Sequence, residues 1–400
     1  MIFTTYWFVA FAVGFFSLYY VAFDWRLRLA VLLVGSVIFH AHFAGPAGVI
    51  PVFVLGLLTY LAALSGNRPF VVFVISLNAA ALIFYKYTVF LVTSLIGPIF
   101  PDYSQAAIES LQHQWLPSAP PLAISFFVFE FVHYLVDVLK GNLRIKNPTH
   151  FMLFGLFWPS VVAGPVKRYE QFLPSVKDAV ISRVASEDVM WGAARVSVGF
   201  LKKTVADNLT AWIDRWDDSF AALPIDQRWA IFIGLGFRIL LDFSGYSDMA
   251  IGFARMMGVR LPENFNWPYL SRSIADFWHR WHISLSSWIR DYLYIPLGGS
   301  RHGVVRRMVN AIIAFTLCGL WHGAGWNFAV WGVYHGVGVA VNGLISRQTA
   351  PIVDKLPPVA LVAWHGASWA ATMAFVFVGW LFFFYPLWTA VNMFTALRWW

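Results

Sequence analysis

The sequence predicts an all-α polytopic membrane protein, and three observations carry that expectation. Hydrophobic residues make up 59% of the 400, with 38 Phe and 21 Trp, while charged residues are only 12%. A soluble domain carries about 25% charged residues. Apolar segments long enough to cross a bilayer, about 20 residues each, recur along the whole chain, which excludes a single anchor with a soluble domain. The cations behind the net charge of +8 stand between those segments rather than in one stripe. That distribution fits positive membrane loops and argues against nucleic acid as a partner.

Taken in order, the first apolar spans read approximately 2–22, 29–45, 48–64, 70–97 and 119–139. The first lacks a charged leader and a small-residue cleavage site, so it reads as a retained span rather than a removed signal. The connections at Asp24–Arg28 and Gly66–Arg68 are basic, and Lys140 to Lys146 holds three cations and no acid. The connection from Pro98 to Pro121 has Asp102 and Glu109 with no Lys or Arg. Cation counting places the basic turns in the cytoplasm, with the N-terminus and the acidic connection outside.

From residue 150 the pattern changes. FMLFGLFWPSVVAGPVKRYEQF is short and broken by Pro159, Gly164 and Pro165. Such a segment survives at membrane depth only when buried in protein or lining a cavity; an interfacial hairpin is the alternative. A span near 189–206 leads to an acidic turn, Trp212 to Asp226, and a further span covers about 229–251. Asp242 and Asp248 flank FSGYS there, as cavity-lining residues or as caps of a broken helix end. Between Arg255 and Arg307 lie eight arginines, three acids and no clean apolar run, so this stretch is cytoplasmic or dips in from that side. Spans at 308–325, 326–345 and 359–385 follow. The whole chain, 1–400, reads as one membrane-embedded domain: N-terminal spans 1–147, a core 148–345 and a C-terminal span 346–400.

The chemistry concentrates between Asp276 and Gly336. As one helix at 100° per residue, 276–292 puts Phe277, Trp281, Leu285, Trp288 and Tyr292 within an arc of roughly 80°. His279, His282, Ser286 and Arg290 fall on the opposite arc. Two imidazoles, a hydroxyl and a guanidinium suit an anionic or acyl-bearing ligand better than an ordinary solvated face. An interfacial helix is the bland alternative. A metal shared by His279 and His282 lacks a carboxylate in the stripe, so no metal site is expected. Cys318 alone excludes a thiolate cage and reads as a small buried residue.

His322 falls near the outer end of its span, about 20 Å along the helix from Met308. Phe315, Cys318 and Gly319 share its face, and Gly323 and Gly325 follow; these glycines admit close approach of a backbone or ligand. No acid lies within a turn, so a neutral imidazole is expected, as a general base requires. A packing histidine is the equal alternative. His335 has a weaker claim, and His40, His42, His113, His133, His150, His302 and His365 read as interfacial or structural.

Four stretches together resemble the membrane-bound O-acyltransferase family, in its alginate O-acetylation branch. They are FWPSVVAGPVKRYEQF at 157–172, LDFSGYSDMAIGFARMMG at 241–258, LPENFNWPYLSRSIADFWHRWHISLSSWIRDYLYIPLGG at 261–299 and GLWHGAGWNFAVWGVYHG at 319–336. The resemblance implies about 9–11 transmembrane helices with re-entrant and amphipathic segments around a central tunnel. It implies that His322 and His282 are catalytic, and that Asn266, Asp276, Trp281, Ser284, Ser286, Arg290 and Trp321 bind donor or line the tunnel. One departure is the run Gly379 to Pro386, which lacks the arginine the family often has after its WxFF motif; alginate-type members also tend to carry further C-terminal spans.

The resulting expectation is a multi-pass acyltransferase of a bacterial inner membrane, contacting membrane lipids and holding no bound cofactor. Its donor substrate is acetyl-CoA or an acyl-carrier thioester, docked on the arginines of 255–307. His322 takes a proton from an acceptor hydroxyl arriving from outside, and His282 or Ser286 polarises the thioester carbonyl. The acceptor side is a periplasmic acetyltransferase or polysaccharide-modification partner, serving an exported polymer such as alginate or cellulose. D-alanyl or peptidoglycan transfer, a transporter with a histidine proton relay, and a non-catalytic scaffold are the rivals.

Overall fold

Apolar helices punctuated by short polar caps dominate the chain. A computed structural model describes residues 2–117 and 119–398. Among these, helices account for the regular structure, with one isolated antiparallel bridge between Phe265 and Trp281. The chain divides into two compact units: residues 1–197 with 248–262, and residues 198–247 with 263–400.

In the first unit, α1 (Tyr6–Val21) starts where the Thr5 hydroxyl accepts from the Phe8 N–H, and α2 (Trp25–Ser65) where Asp24 accepts from Arg26 and Leu27. These caps satisfy backbone donors that the helix itself leaves unpaired. The expected spans 29–45 and 48–64 are the two limbs of α2, which bends at Gly45 (φ 61°, ψ 176°) just before Pro46. Only a glycine adopts that conformation without strain. Next come α3 (Arg68–Leu82), a π-turn at Ile83–Tyr87, α4 (Thr88–Leu91) and a second π-turn, continuing the fourth span to Ile96. The acidic connection folds into a helix of its own, α5 (Pro101–Gln114), before α6 (Ile124–Leu139).

The broken segment is buried in protein. Between α7 (Pro148–Leu156) and α8 (Tyr169–Ile181), Phe157 and Trp158 have no exposed surface. Trp158 sits among the rings of Phe3, Phe8, Phe39 and Phe253 at centroid separations of 5.3–6.3 Å. Lys167, 1% exposed, donates to Glu130 of α6 at 2.7 Å. Its charge is tolerable there because it is paired and hydrogen-bonded.

Helices α9 (Ser186–Ile213) and α10 (Ile225–Met256) each contribute to both units. The break expected at FSGYS is absent. α10 runs through it without interruption, since Asp242 pairs with Lys203 at 2.7 Å and Asp248 with Arg195 at 3.0 Å along its flank. Neither acid caps a broken end.

The second unit continues with α11 (Ile274–Arg280), α12 (Ile283–Ile289) and a π-turn at Arg290–Tyr294. Then follow α13 (Gly303–His322), α14 (Trp326–Val353), α15 (Pro358–Phe384) and α16 (Leu387–Ala396). α13 and α14 cross at backbone distance: a Cβ on Gly332 would lie 2.7 Å from the Thr316 Cα, and one on Gly319 would meet the Phe328 carbonyl. Among the described residues, six helices are long and apolar enough to cross a membrane: α2, α3 with its continuation to Ile96, α10, α13, α14 and α15. α1 is apolar but has only 16 residues, while α6, also 16, carries Glu130, His133 and Asp137.

Candidate active site

The continuous helix expected over 276–292 does not form. Trp281 is extended (φ −101°, ψ 128°) and His282 is left-handed (φ 43°, ψ 53°), so α11 stops and α12 restarts in a new direction. A non-glycine residue held there is strained by about 1–3 kcal/mol, which persists only where surrounding contacts over-determine it. Those contacts come from the preceding segment. The Ile283 N–H donates to the Asn264 carbonyl at 3.0 Å, and the Asn266 N–H to the Arg280 carbonyl at 2.9 Å, clamping the break from both sides.

The Asn264 side chain completes the clamp. Its Oδ1 accepts from the Ser284 N–H at 3.2 Å and from the Ser284 hydroxyl at 2.8 Å, and lies 3.1 Å from His282 Nδ1. Its Nδ2 donates to the Ser247 hydroxyl at 3.2 Å. A backbone N–H can only donate, so the Ser284 contact fixes which amide atom is oxygen. That oxygen can only accept, so His282 carries its proton on Nδ1. Nε2 is left with a lone pair, buried and without a hydrogen-bond partner among the described residues.

The break also takes His282 off the predicted stripe. His282 is 1% exposed, 6.5 Å ring to ring from His322 and 4.6 Å from Phe243. The sequence reading placed the two histidines in separate regions; the structure brings them into one site. His322 is the last residue of α13, and its ring meets the edges or faces of Trp321 (4.8 Å), Trp331 (5.3 Å) and Phe383 (5.2 Å). Glycines at the α13–α14 crossing let Trp331 come this close. Burial holds the His282 imidazole well below its ordinary value, and the nearby His322 adds to the effect.

The rest of the stripe faces elsewhere. His279, Ser286 and Arg290 line a cavity of about 520 Å³, together with Arg307, Asn342 and an apolar wall that includes Trp278 and Phe315. Arg290 is held in a fork by Asp291, at 2.7 and 3.2 Å. Arg307 Nη2 is buried with no partner among the described residues. The Trp278–Phe315 wall (4.9 Å) is one ring away from His322, since Trp278 meets Trp331 at 5.8 Å and Trp331 meets His322.

Of the other expected residues, Ser284 and Trp321 belong to the histidine site, while Ser286 donates to the Trp281 carbonyl at 3.2 Å from the cavity side. Trp281 packs against the rings of Phe265 and Trp380 and is not among the residues lining the cavity. Asp276 accepts from Arg280 at 2.7 Å within α11 and is hydrogen-bonded to neither histidine. Asn266 is exposed, and Asn264, two residues earlier, takes the place expected of it. The LPENFNWPY motif contains both, but nothing local distinguishes them. His335 is fully buried against Trp278, Trp331 and Phe375, a packing position. Among the described residues no three His, Cys, Asp or Glu side chains gather as a metal site.

Comparison with known proteins matches residues 70–388 to the model of the membrane-bound O-acyltransferase family. A peptidoglycan O-acetyltransferase of Helicobacter pylori is 33% identical over 408 residues, covering 96% of this chain and 71% of that protein. A probable alginate O-acetylase of Pseudomonas putida is 36% identical over 329 residues, 81% of this chain and 62% of that protein. A teichoic acid D-alanyltransferase of Bacillus subtilis is 29% identical over 259 residues, 61% of this chain and 65% of that protein. The chain thus spans roughly two thirds of the length of these relatives, and about half that of the Pseudomonas syringae alginate O-acetylase.

Proposed function

The chain belongs to the membrane-bound O-acyltransferase family, and we propose that it passes an acetyl group from a thioester donor to a hydroxyl acceptor. The observation that carries the reading is the pair of imidazoles 6.5 Å apart, one of them locked by Asn264 with a buried lone pair free. A transporter needs no such lock on one tautomer.

In this reading the acceptor oxygen attacks the thioester carbonyl carbon while His322 takes its proton. The tetrahedral intermediate collapses, the C–S bond breaks, and the departing thiolate recovers the proton from His322. His282 cannot be the oxyanion contact first expected of it, because in its neutral form Nε2 has no hydrogen to give. Its role is to accept: a water or second hydroxyl between the rings, accepting from protonated His322 and donating to Nε2, favours the charge that forms on His322.

The donor, acetyl-CoA or an acyl-carrier thioester, occupies the cavity of about 520 Å³. Arg307, with a buried unpaired nitrogen, answers a phosphate, and the apolar wall takes the arm. The arm reaches His322 by displacing Trp278 or Phe315. The acceptor is the hydroxyl of a periplasmic acetyltransferase partner, which serves an exported polysaccharide at a bacterial inner membrane. Acetyl analysis of that polysaccharide from cells carrying wild type or His322→Ala tests the reading. Loss of O-acetyl groups with polymer yield intact supports it; unchanged acetylation contradicts it.

A further inference from the structure

The first unit holds a second cavity, of about 390 Å³, remote in sequence from the histidine pair and used by none of the steps above. It is a cleft between the two limbs of α2, floored by Phe127 and Phe131 of α6 and by Phe151 and Gly155 of α7. Its volume falls within the range of small-ligand pockets, about 300–1,000 Å³. Nearly every lining side chain is apolar, and its rim residues Phe53 and Leu57 are 60% and 47% exposed on a membrane-length helix. The opening therefore gives onto lipid hydrocarbon.

One side chain does not belong in such a cleft. His40 lines it and is 3% exposed, and neither ring nitrogen has a hydrogen-bond partner among the described residues. The Phe127 ring meets its imidazole edge-on at 5.2 Å. His40 stands 15 residues into α2 from Trp25, roughly 22 Å along the helix and short of the bend at Gly45, and its burial keeps bulk water from its ring. A polar group left bare in such surroundings costs several kcal/mol. A neutral imidazole offers one donor and one acceptor.

We propose that this cleft binds the acyl chain of a membrane lipid, with His40 donating a hydrogen bond to its carboxyl or ester carbonyl oxygen. The ligand must be apolar along its length, must enter from the bilayer, and must bring one acceptor oxygen to His40. A phospholipid ester and a free fatty acid share that chemistry. Gly56 and Gly155 leave the volume for the chain: a Cβ on Gly155 would meet only the Phe131 and Phe127 rings, at 3.5 Å and beyond, so a larger side chain there fills the cleft without a backbone clash.

The test uses the full chain in phosphatidylethanolamine nanodiscs doped with a phospholipid carrying a diazirine on its acyl chain. A parallel sample carries a diazirine fatty acid, and the labelled peptides are mapped after illumination. Labelling concentrated in residues 37–60 and 148–156, resisting a chase with unlabelled lipid, is expected from at least one probe. Labelling by the fatty acid alone supports the site and assigns the carbonyl to a free acid. Gly155→Leu should abolish the concentrated label while the protein's melting temperature holds. His40→Leu, which keeps the cleft apolar, should speed the chase about fivefold by removing one hydrogen bond. Label spread evenly over the lipid-facing helices and indifferent to Gly155→Leu overturns the site. An unchanged chase in His40→Leu overturns the hydrogen bond.

Discussion

His282 and Asn264, eighteen residues apart, are joined by a 3.1 Å hydrogen bond that fixes the histidine's tautomer, while the Asn264 carbonyl, accepting from the Ile283 N–H at 3.0 Å, helps hold its left-handed backbone. A proton on Nδ1 leaves Nε2 as an acceptor, and that single fact changes the role sequence motifs would assign to His282.

Two substitutions at Asn264 separate position from charge. Asn264→Leu removes the acceptor and should lower kcat about 10–100-fold with little change in donor KM, the usual cost of losing an orienting partner. Asn264→Asp keeps an acceptor and adds a negative charge beside Nδ1–H. In wild type the imidazole is held below its ordinary value, so it stays neutral and active as pH falls past about 6.5. The aspartate raises the pKa, so the acid limb of the kcat/KM profile should move to higher pH.

The proposed seat of the donor in the cavity predicts an asymmetry between its arginines. Arg307→Gln removes the guanidinium with an unpaired buried nitrogen and should raise donor KM about tenfold or more, as expected for a charged hydrogen bond. Arg290 is already occupied by Asp291 and exposed, so Arg290→Gln should change KM less. Steady-state kinetics with acetyl-CoA compare the two directly.

Gly332→Ala tests the helix crossing that places His322. The added methyl would lie 2.7 Å from the Thr316 Cα, so α13 and α14 must separate. The melting temperature should fall, with a cost of about 1–3 kcal/mol, typical of overpacking.

In the first unit, Lys167→Met leaves Glu130 buried without its cation and should destabilise by about 3–5 kcal/mol. The double variant Lys167→Met, Glu130→Leu removes both charges and should recover most of that loss. Thermal unfolding of the four proteins in the cycle measures the coupling.

How far the sequence disclosed this arrangement differs from one element to the next. The spans were legible because membrane helices announce themselves by length and hydropathy, and His322 was legible as a histidine ending an apolar span rich in glycine. The limbs of α2 were separable because Gly45 and Pro46 punctuate them. The break at His282 was not legible: no glycine or proline marks it, and the strain is supported by Asn264 from eighteen residues upstream. A helical wheel across 276–292 therefore put His282 beside His279, Ser286 and Arg290, which line the cavity instead. FSGYS misled in the opposite sense, since flanking ion pairs carry α10 through a sequence that reads as a helix end.

The central claim is that His322 takes the acceptor's proton beside a tautomer-locked His282. The most direct measurement is transfer of labelled acetyl from acetyl-CoA by the reconstituted full chain, wild type against His322→Ala. The acceptor supplied is the proposed periplasmic partner, and the melting temperature of each protein is checked alongside. The account predicts a loss of about a hundred- to ten-thousand-fold in kcat with donor binding retained. Transfer at the wild-type rate by a folded His322→Ala protein would contradict it.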